Sequence, residues 1–156
     1  MGLDMYLRGK RFLSKYMNPG DENIQVEVGK MFPELENRTG AFSDEPAVTE
    51  IVINAGYWRK ANSIHFWFVR NCQRNIDNCL KYHVCRSQLS ALKQVCMDVL
   101  ADKDRAAELL PSMSGFFFGS TEYNEDYFHD LEYTIKIVDS CLSLPLNWEF
   151  EYQSSW

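Results

Sequence analysis

The residues best suited to ligand chemistry lie together in the stretch YWRKANSIHFWFVRN, which runs from Tyr57 to Asn71. Arg59 and Lys60 follow two aromatic residues, Tyr57 and Trp58. Aromatic rings stack on planar bases, and Arg or Lys neutralises phosphate, so this mixture suits a nucleotide-like ligand or a protein contact. The alternative is that the two rings belong to the core and the two cations are solvated.

His65 is the strongest candidate for a catalytic residue in this stretch. A histidine at the edge of an apolar stripe can have a shifted pKa and titrate near neutrality. The structural alternative is a histidine that donates to a backbone carbonyl. No nucleophile or carboxylate partner is identifiable nearby in the sequence, so we predict no catalytic residue.

The spacing of the aromatic residues predicts one amphipathic helix from Tyr57 to Asn71. Its apolar stripe consists of Tyr57, Ala61, Ile64, Phe68 and Cys72. Phe66 and Trp67 fall outside that stripe, beside polar residues, and therefore need a second partner. That partner is another element of the domain, a second chain or a ligand. Together with Trp156 near the end of the chain, these two rings are the predicted interface residues.

Other candidate sites carry weaker signals. Cys79, His83 and Cys85 are metal-ligand types, but paired CxxC or HxxxH spacing is absent, so we predict ordinary thiols and no metal site. His129 on the third predicted helix is expected to be a solvated surface residue. The motifs GxxxxGK[ST], GxGxxG, GxSxG and HExxH do not occur, and we predict no cofactor. The loop from Phe116 to Thr121 carries Ser120 and Thr121, which we add to the candidate ligand-binding residues.

Composition limits the class of protein. The 156 residues fit one domain, and 46% hydrophobic content is enough for a packed core. A net charge of −6 gives no basic field for broad nucleic-acid binding. No window is long and apolar enough for a signal peptide or a membrane span, and the odd count of five cysteines is typical of a reducing compartment. We therefore expect a cytoplasmic protein that does not bind membranes.

The hydrophobic pattern predicts an α+β fold in a single domain over residues 1–156. Its mostly antiparallel sheet should have about four to six strands, with three principal helices packed on it. Strands are predicted at 3–8, 47–55, 81–84 and 147–153, with the last near the first, and residues 18–46 form a loop-rich segment with a short strand near 24–28. The second helix should be capped by Ser87 and the third by Ser120 or Thr121.

Several blocks of the sequence carry a resemblance. The start MGLDMYL, the end NWEFEYQSSW, and the internal segments ANSIHFWFV and SGFFFGSTEY are similar to those of a group of small uncharacterised bacteriophage and prophage proteins. The likeness spans most of the chain. It implies a phage or mobile-element accessory gene, with the host cytoplasm as its location, and it transfers no catalytic residue. Proteins of that kind and size often inhibit host defence systems.

Three hypotheses of function follow. The first is a non-enzymatic counter-defence protein that binds a small nucleotide-derived ligand through Tyr57, Trp58, Arg59, Lys60 and His65 with Ser120 and Thr121. The second is an inhibitor of a host defence protein, or a homo-oligomer, that uses the exposed aromatic face. The third is a small phosphodiester or nucleotide hydrolase that uses His65 or His129 with carboxylates brought together by the fold.

Overall fold

A computed structural model of the chain describes residues 2–35 and 48–156. The strands of this part are β1 (Asp4–Phe12), β2 (Glu50–Arg59), β3 (Tyr82–Val84) and β4 (Glu149–Ser155). Its α-helices are α1 (Asp21–Gly29), α2 (Asn62–Asn71), α3 (Arg86–Ala101), α4 (Ala106–Leu109) and α5 (Glu125–Ser143), and short 3₁₀ turns lie at Pro33–Leu35 and Lys103–Arg105. The strands form one antiparallel sheet in the order β2-β1-β4-β3.

The α+β prediction is confirmed, with a strand count at the low end of the predicted range. The chain divides into two compact units, one made of Met1–Gly9 with Ile53–Trp156 and the other of Lys10–Val52. The single domain over 1–156 stays a prediction. In the described residues, no helix is both long enough and apolar enough to cross a membrane.

The first unit is built on strands that bury alternate residues. In β1 the residues Met5 and Leu7 are fully buried, and in β4 Phe150 and Tyr152 are buried in the same way. Because successive side chains of a strand point to opposite faces, this alternation presents one apolar face to the helices. The predicted neighbours, the first and last strands, are adjacent in the sheet. In the short strand β3, Tyr82 pairs with Tyr152 and Val84 with Phe150.

Helices α2, α3 and α5 supply the other half of this core. Helices α3 and α5 pack against each other more extensively than any other pair of elements in the described part of the chain. Their buried residues recur at the three- and four-residue spacing of an amphipathic helix. The buried apolar residues of the three helices are Ile64, Phe68 and Val69, then Leu89, Leu92, Cys96 and Val99, then Tyr127, Leu131, Ile137, Val138 and Cys141.

The second unit is organised around a buried ion pair. The carboxylate of Asp21 accepts from the Arg11 guanidinium at 2.8 Å and from the backbone N–H of Ser14 at 3.0 Å. These contacts fix the start of α1, where Asp21 and Glu22 complement the helix dipole. The short strand predicted at 24–28 is therefore wrong, because its alternating residues lie in this helix. Residues 36–46 of the predicted loop-rich segment, and Ala47 of the strand predicted at 47–55, lie outside the described residues.

The predicted helix from Tyr57 to Asn71 begins five residues too early. Strand β2 continues through Tyr57, Trp58 and Arg59, and α2 starts only at Asn62. Trp58 is 2% exposed while its strand neighbours are half-exposed or exposed, which is the alternation of a strand. The chain leaves the strand at Lys60, whose φ of 62° lies in the left-handed region.

Two predicted helix caps are also wrong. The N-cap of α3 is Cys85, whose backbone N–H donates to the side chain of Gln88 in a capping box. The N-cap of α5 is Asn124, whose side chain accepts from the backbone N–H of Tyr127 at 3.2 Å. Ser120 instead accepts from the N–H of Glu122 in a local turn. The predicted strands near 81–84 and 147–153 are confirmed as β3 and β4.

Candidate functional site

The turn between β2 and α2 places two cations at the start of a helix. The backbone N–H of Lys60 donates to the carbonyl of Leu3, and the N–H of Asn62 donates to the carbonyl of Lys60, both at 2.8 Å. The N-cap residue of α2 is Ala61, which provides no side-chain cap. Arg59 and Lys60 therefore lie directly before an uncapped helix N-terminus, where partial positive charge accumulates.

Asn62, the first residue of α2, holds the loop that follows α4. Its side-chain amide donates to the carbonyls of Phe118 at 3.2 Å and Ser120 at 2.7 Å. Its side-chain oxygen accepts from the backbone N–H of Met113 at 3.1 Å. Asn62 is 4% exposed, so these bonds satisfy both ends of a buried amide. One side chain thus fixes the loop from Met113 to Ser120 against α2.

Gly119 allows this loop to approach Lys60 closely. Its φ of 96° lies in the left-handed region that side chains disfavour. A Cβ atom at this position would lie 3.0 Å from the Cβ of Lys60 and 3.2 Å from its carbonyl oxygen. The backbone angle therefore makes any other residue strained here, and the close contact leaves little room for a side chain.

The loop, the turn before α2 and the first part of α5 line an open cavity of about 390 Å³. This volume lies within the usual range for small-molecule sites, about 300–1,000 Å³. Its lining is mostly polar. The lining residues are Arg59, Lys60, Asn62, Ser63, Gly119, Ser120, Glu122, Asn124, Asp126, Tyr127, His129 and Asp130.

The cavity carries both signs of charge. Arg59 and Lys60 come from the turn before α2, whereas Asp126 and Asp130 come from the first turns of α5. Burial raises the pKa of Asp130 from 3.8 to about 6; the His129 charge opposes this and the Asp126 charge adds to it. The carboxyl of Asp130 therefore titrates close to neutral pH.

The structure brings together three of the seven predicted ligand-binding residues. Arg59, Lys60 and Ser120 line the cavity. Thr121 is exposed beside Ser120 but is not part of the lining.

The two predicted aromatic residues point elsewhere. Trp58 is core, and its indole N–H donates to the hydroxyl of Thr134 at 2.9 Å. Tyr57 lies on the other face of β2 from Trp58, where its hydroxyl donates to the carboxylate of Asp4. Neither ring therefore lines the cavity, whose lining offers mainly charged and hydrogen-bonding groups.

His65 lies in the interior, outside the cavity. It is fully buried, with Nδ1 2.8 Å from the Tyr152 hydroxyl and Nε2 3.1 Å from Asp77 Oδ1. A carboxylate can only accept, so these contacts favour a proton on Nε2 and a hydroxyl that donates to Nδ1. The Nε2 contact is close but lacks good hydrogen-bond alignment. The indole N–H of Trp156 donates to the same Asp77 oxygen at 3.2 Å.

This arrangement supplies the carboxylate partner of His65 that the sequence did not reveal. Burial lowers the pKa of His65 below 6.5, and this effect outweighs the opposing influence of the Asp77 charge. The ring of Phe118 packs edge-on against the imidazole, and Phe68 stacks on Tyr152 with ring centroids 3.9 Å apart. His65 is therefore a neutral residue of a buried polar network.

The second face of α2 is partly covered by the chain itself. Trp67 packs edge-on against Phe68 and is half-buried against the core. Phe66 is half-buried, and the Arg70 guanidinium lies 5.5 Å from its ring centre. Both rings line a smaller cavity of about 210 Å³ whose opposite wall is formed by residues 109–111. Their role as interface residues, with that of Trp156, stays a prediction.

Sequence reasoning missed two residues at the centre of the site, Asn62 and Ser63. The available signal was a pair of small polar residues directly after the two cations. Placing the helix start at Tyr57 put this pair inside a helix and concealed its position at the N-terminus.

Within the residues the structure describes, no group of three or more His, Cys, Asp or Glu side chains could hold a metal ion. A comparison with family models found no match, and comparisons with curated proteins and with solved structures found no significant match.

Proposed function

We propose that the chain is a phage-type accessory protein that binds and sequesters a small nucleotide-derived ligand without turnover, in a counter-defence role. The observation that carries this proposal is the cavity of about 390 Å³ between the turn before α2 and the start of α5. Its lining contains both cations and carboxylates. The resemblance to phage proteins provides the biological setting.

A nucleotide has chemical groups that match both kinds of charge in the lining. Its phosphate is anionic and suits Arg59 and Lys60. Its ribose hydroxyls and exocyclic amino groups donate hydrogen bonds, which the carboxylates of Asp126 and Asp130 can accept. Since Tyr57 and Trp58 do not line the cavity, binding draws on charge and hydrogen bonding and should weaken as salt is added.

Isothermal titration calorimetry tests the proposal. The wild-type chain is titrated with cyclic mononucleotides, cyclic dinucleotides and ADP-ribose-type compounds. We expect heat from at least one of them, and a large loss of affinity in the variant that combines Arg59→Ala with Lys60→Ala. Lys136→Ala is the matched control, because Lys136 is an exposed cation of α5 outside the lining. No heat from any compound would contradict the proposal, as would equal losses in the variant and the control.

A second candidate function is hydrolysis of a nucleotide or phosphodiester, and the pKa of Asp130 favours it. A carboxyl group that titrates near pH 6 can act as a general acid or base at neutral pH. His129 lies next to it in the chain and lines the same cavity. His65, the other histidine considered, is enclosed by Tyr152 and Asp77 and does not reach this cavity.

Turnover assays separate the two functions. The same compounds are incubated with the wild type, with Asp130→Asn and with His129→Ala, and products are separated by chromatography. Hydrolysis by the wild type that disappears in either variant supports the second function. Binding without product in any sample supports the first.

A further inference from the structure

The smaller cavity beside α2 has a lining unlike that of the first. Five of its eight lining residues are apolar: Phe66 and Trp67 come from α2, and residues 109–111 form the opposite wall. Arg70 is the one charged side chain in the described lining. The volume of about 210 Å³ is below the usual range for small-molecule sites, about 300–1,000 Å³, and suits a side chain of a partner protein better than a free ligand.

The two rings of this cavity are already held in place by the chain. Trp67 packs edge-on against Phe68 with ring centroids 5.4 Å apart, and the Arg70 guanidinium lies 5.5 Å from the centre of the Phe66 ring. Both rings of the lining are half-buried, so each still presents part of its surface to the cavity. Binding a partner therefore costs little free energy for ordering them, and aromatic residues and arginine are the types that contribute most to protein contacts.

The charge of Arg70 is not neutralised by an acid in the described part of the chain. Arg70 is exposed, its guanidinium contacts the Phe66 ring, and it forms no ion pair with a described residue. On the opposite wall, the acid next to Leu109 is Glu108, which already pairs with Arg105 at 3.0 Å. The cavity therefore combines an apolar lining with an available positive charge.

The sequence around α2 extends this positive charge. Residues 51–76 contain four cations and no aspartate or glutamate, although the whole chain has a net charge of −6. The cations are Arg59, Lys60, Arg70 and Arg74. A local positive field attracts a short acidic segment, whereas the net negative charge of the chain opposes a long polyanion such as nucleic acid.

We propose that this cavity is the docking site for an acidic segment of a partner protein, with a bulky apolar side chain of the partner against Phe66, Trp67 and Pro111 and a neighbouring carboxylate of the partner on the Arg70 guanidinium. Among their described lining residues, the two cavities share only Ser63. This inference therefore goes beyond the proposed function and does not depend on nucleotide binding. It also assigns a partner to two rings that lie outside the apolar stripe of α2.

Selection from random peptides identifies a segment that binds. A library of random peptides displayed on yeast is selected for binding to the wild-type chain. We expect the enriched peptides to contain a bulky apolar residue flanked by aspartate or glutamate, and fluorescence polarisation then measures their affinity. Enrichment of neutral or basic peptides, or no enrichment, would overturn the proposal.

Fluorine NMR locates the bound peptide in the wild-type chain. The chain is labelled with fluorotryptophan, and the signal of Trp67 is identified by its loss in Trp67→Phe. An enriched peptide should shift the Trp67 signal with saturation and leave that of Trp58 unchanged, because Trp58 is 2% exposed in the core. A peptide that binds without moving the Trp67 signal would have its site elsewhere and would contradict the proposal.

Charge reversal tests the role of Arg70. Arg70→Glu should weaken binding of the enriched peptide at least about tenfold, the effect of losing a bond between charged groups. Arg74→Glu is the matched control, because it makes the same change in charge at an exposed position that does not line the cavity. It should weaken binding less than about threefold, since long-range repulsion is screened by salt. Equal losses in the two variants would refute docking at this cavity.

A single-stranded thymidine oligonucleotide serves as the competing probe. It should leave the Trp67 signal and the bound peptide unaffected, and saturable binding of the oligonucleotide that displaces the peptide would overturn the proposal in favour of nucleic acid. The nucleotide panel separates the two sites. Peptide binding by a chain that binds no nucleotide supports this inference and contradicts the proposed function, whereas nucleotide binding without any peptide binding does the reverse.

Discussion

Replacing Asn62 with alanine should destabilise the first unit and release the loop that carries Gly119 and Ser120. The side chain of Asn62 makes three hydrogen bonds to backbone groups of this loop, at 3.2, 2.7 and 3.1 Å. It is 4% exposed, so water does not readily replace these bonds. Each partner lies on a segment more than fifty residues away in the sequence.

The expected magnitude follows from the number of bonds. A hydrogen bond of this kind contributes about 0.5–1.5 kcal/mol net, so loss of three predicts about 2–4 kcal/mol of destabilisation. For a chain of this size, that corresponds to a fall in Tm of roughly 4–16 °C. Because the same loop lines the cavity, ligand binding should weaken in parallel.

The assay is urea denaturation followed by tryptophan fluorescence, with Asn71→Ala as the matched control. Asn71 is the last residue of α2, exposed, and donates only to the carbonyl of Trp67 at 2.8 Å. Its replacement should cost less than about 0.5 kcal/mol. A loss below about 1 kcal/mol in Asn62→Ala, or equal losses at the two positions, would refute the role given to Asn62.

The variant Asn62→Asp tests the same contacts through the pH dependence of its stability. A carboxylate at this position would face the carbonyl oxygens of Phe118 and Ser120, which repel it. The protonated acid can still donate to one of them, so folding should raise the pKa of the new carboxyl. Relative to wild type, this variant should be least stable at neutral pH and should recover as pH falls. A constant difference across pH would contradict the contact geometry.

Three further predictions concern titratable groups. Burial lowers the pKa of His65 below 6.5, so as the pH falls this residue is protonated in the unfolded chain before it is protonated in the folded chain. The free energy of unfolding should therefore decrease as pH drops below about 6.5. Denaturation of His65→Phe over a range of pH should show that this dependence is lost. Since burial raises the pKa of Asp130 to about 6, its stabilising contribution is lost as pH rises through that value, and Asp130→Asn should be more stable than wild type at pH 8. Hydrogen bonds lower the pKa of the Cys85 thiol, whereas burial raises the pKa of the Cys96 thiol to about 12. Iodoacetamide should therefore alkylate Cys85 before Cys96, which mass spectrometry of the Cys79→Ser variant can measure.

Much of the sheet could be predicted because its pattern is local. Alternating burial in β1 and β4 is visible as alternating residue types, and the adjacency of the two strands was predicted correctly. The principal helices were recognisable from apolar residues at three- and four-residue spacing. These features depend on neighbours within a few positions in the chain.

The start of α2 could not be predicted from the same signals. Tyr57, Ile64 and Phe68 fit a helical stripe, but Trp58 with exposed neighbours on either side also fits a strand, and the structure has the strand through Arg59. There the indole N–H of Trp58 donates to Thr134, which lies 76 residues away, and the backbone N–H of Lys60 donates to the carbonyl of Leu3. Local spacing contains no information about such a partner.

The cavity was predicted only in part for the same reason. Arg59, Lys60 and Ser120 were recognisable as polar or cationic residues near aromatic ones, and the structure brings them together. The hydrogen bonds of the Asn62 side chain go to backbone groups of the loop. Every residue has such groups, so the sequence does not mark the partners. The partner of His65, Asp77, lies in an irregular segment that no periodicity marks.

Filling the cavity tests the central claim most directly. Ser120→Trp places a large side chain in the lining without removing a charge, and Ser140→Trp places the same side chain at an exposed position of α5. Calorimetric titration with the nucleotide panel should give binding to the wild type and to Ser140→Trp, and none to Ser120→Trp. Equal binding by all three chains, or by none of them, would contradict a ligand site in this cavity.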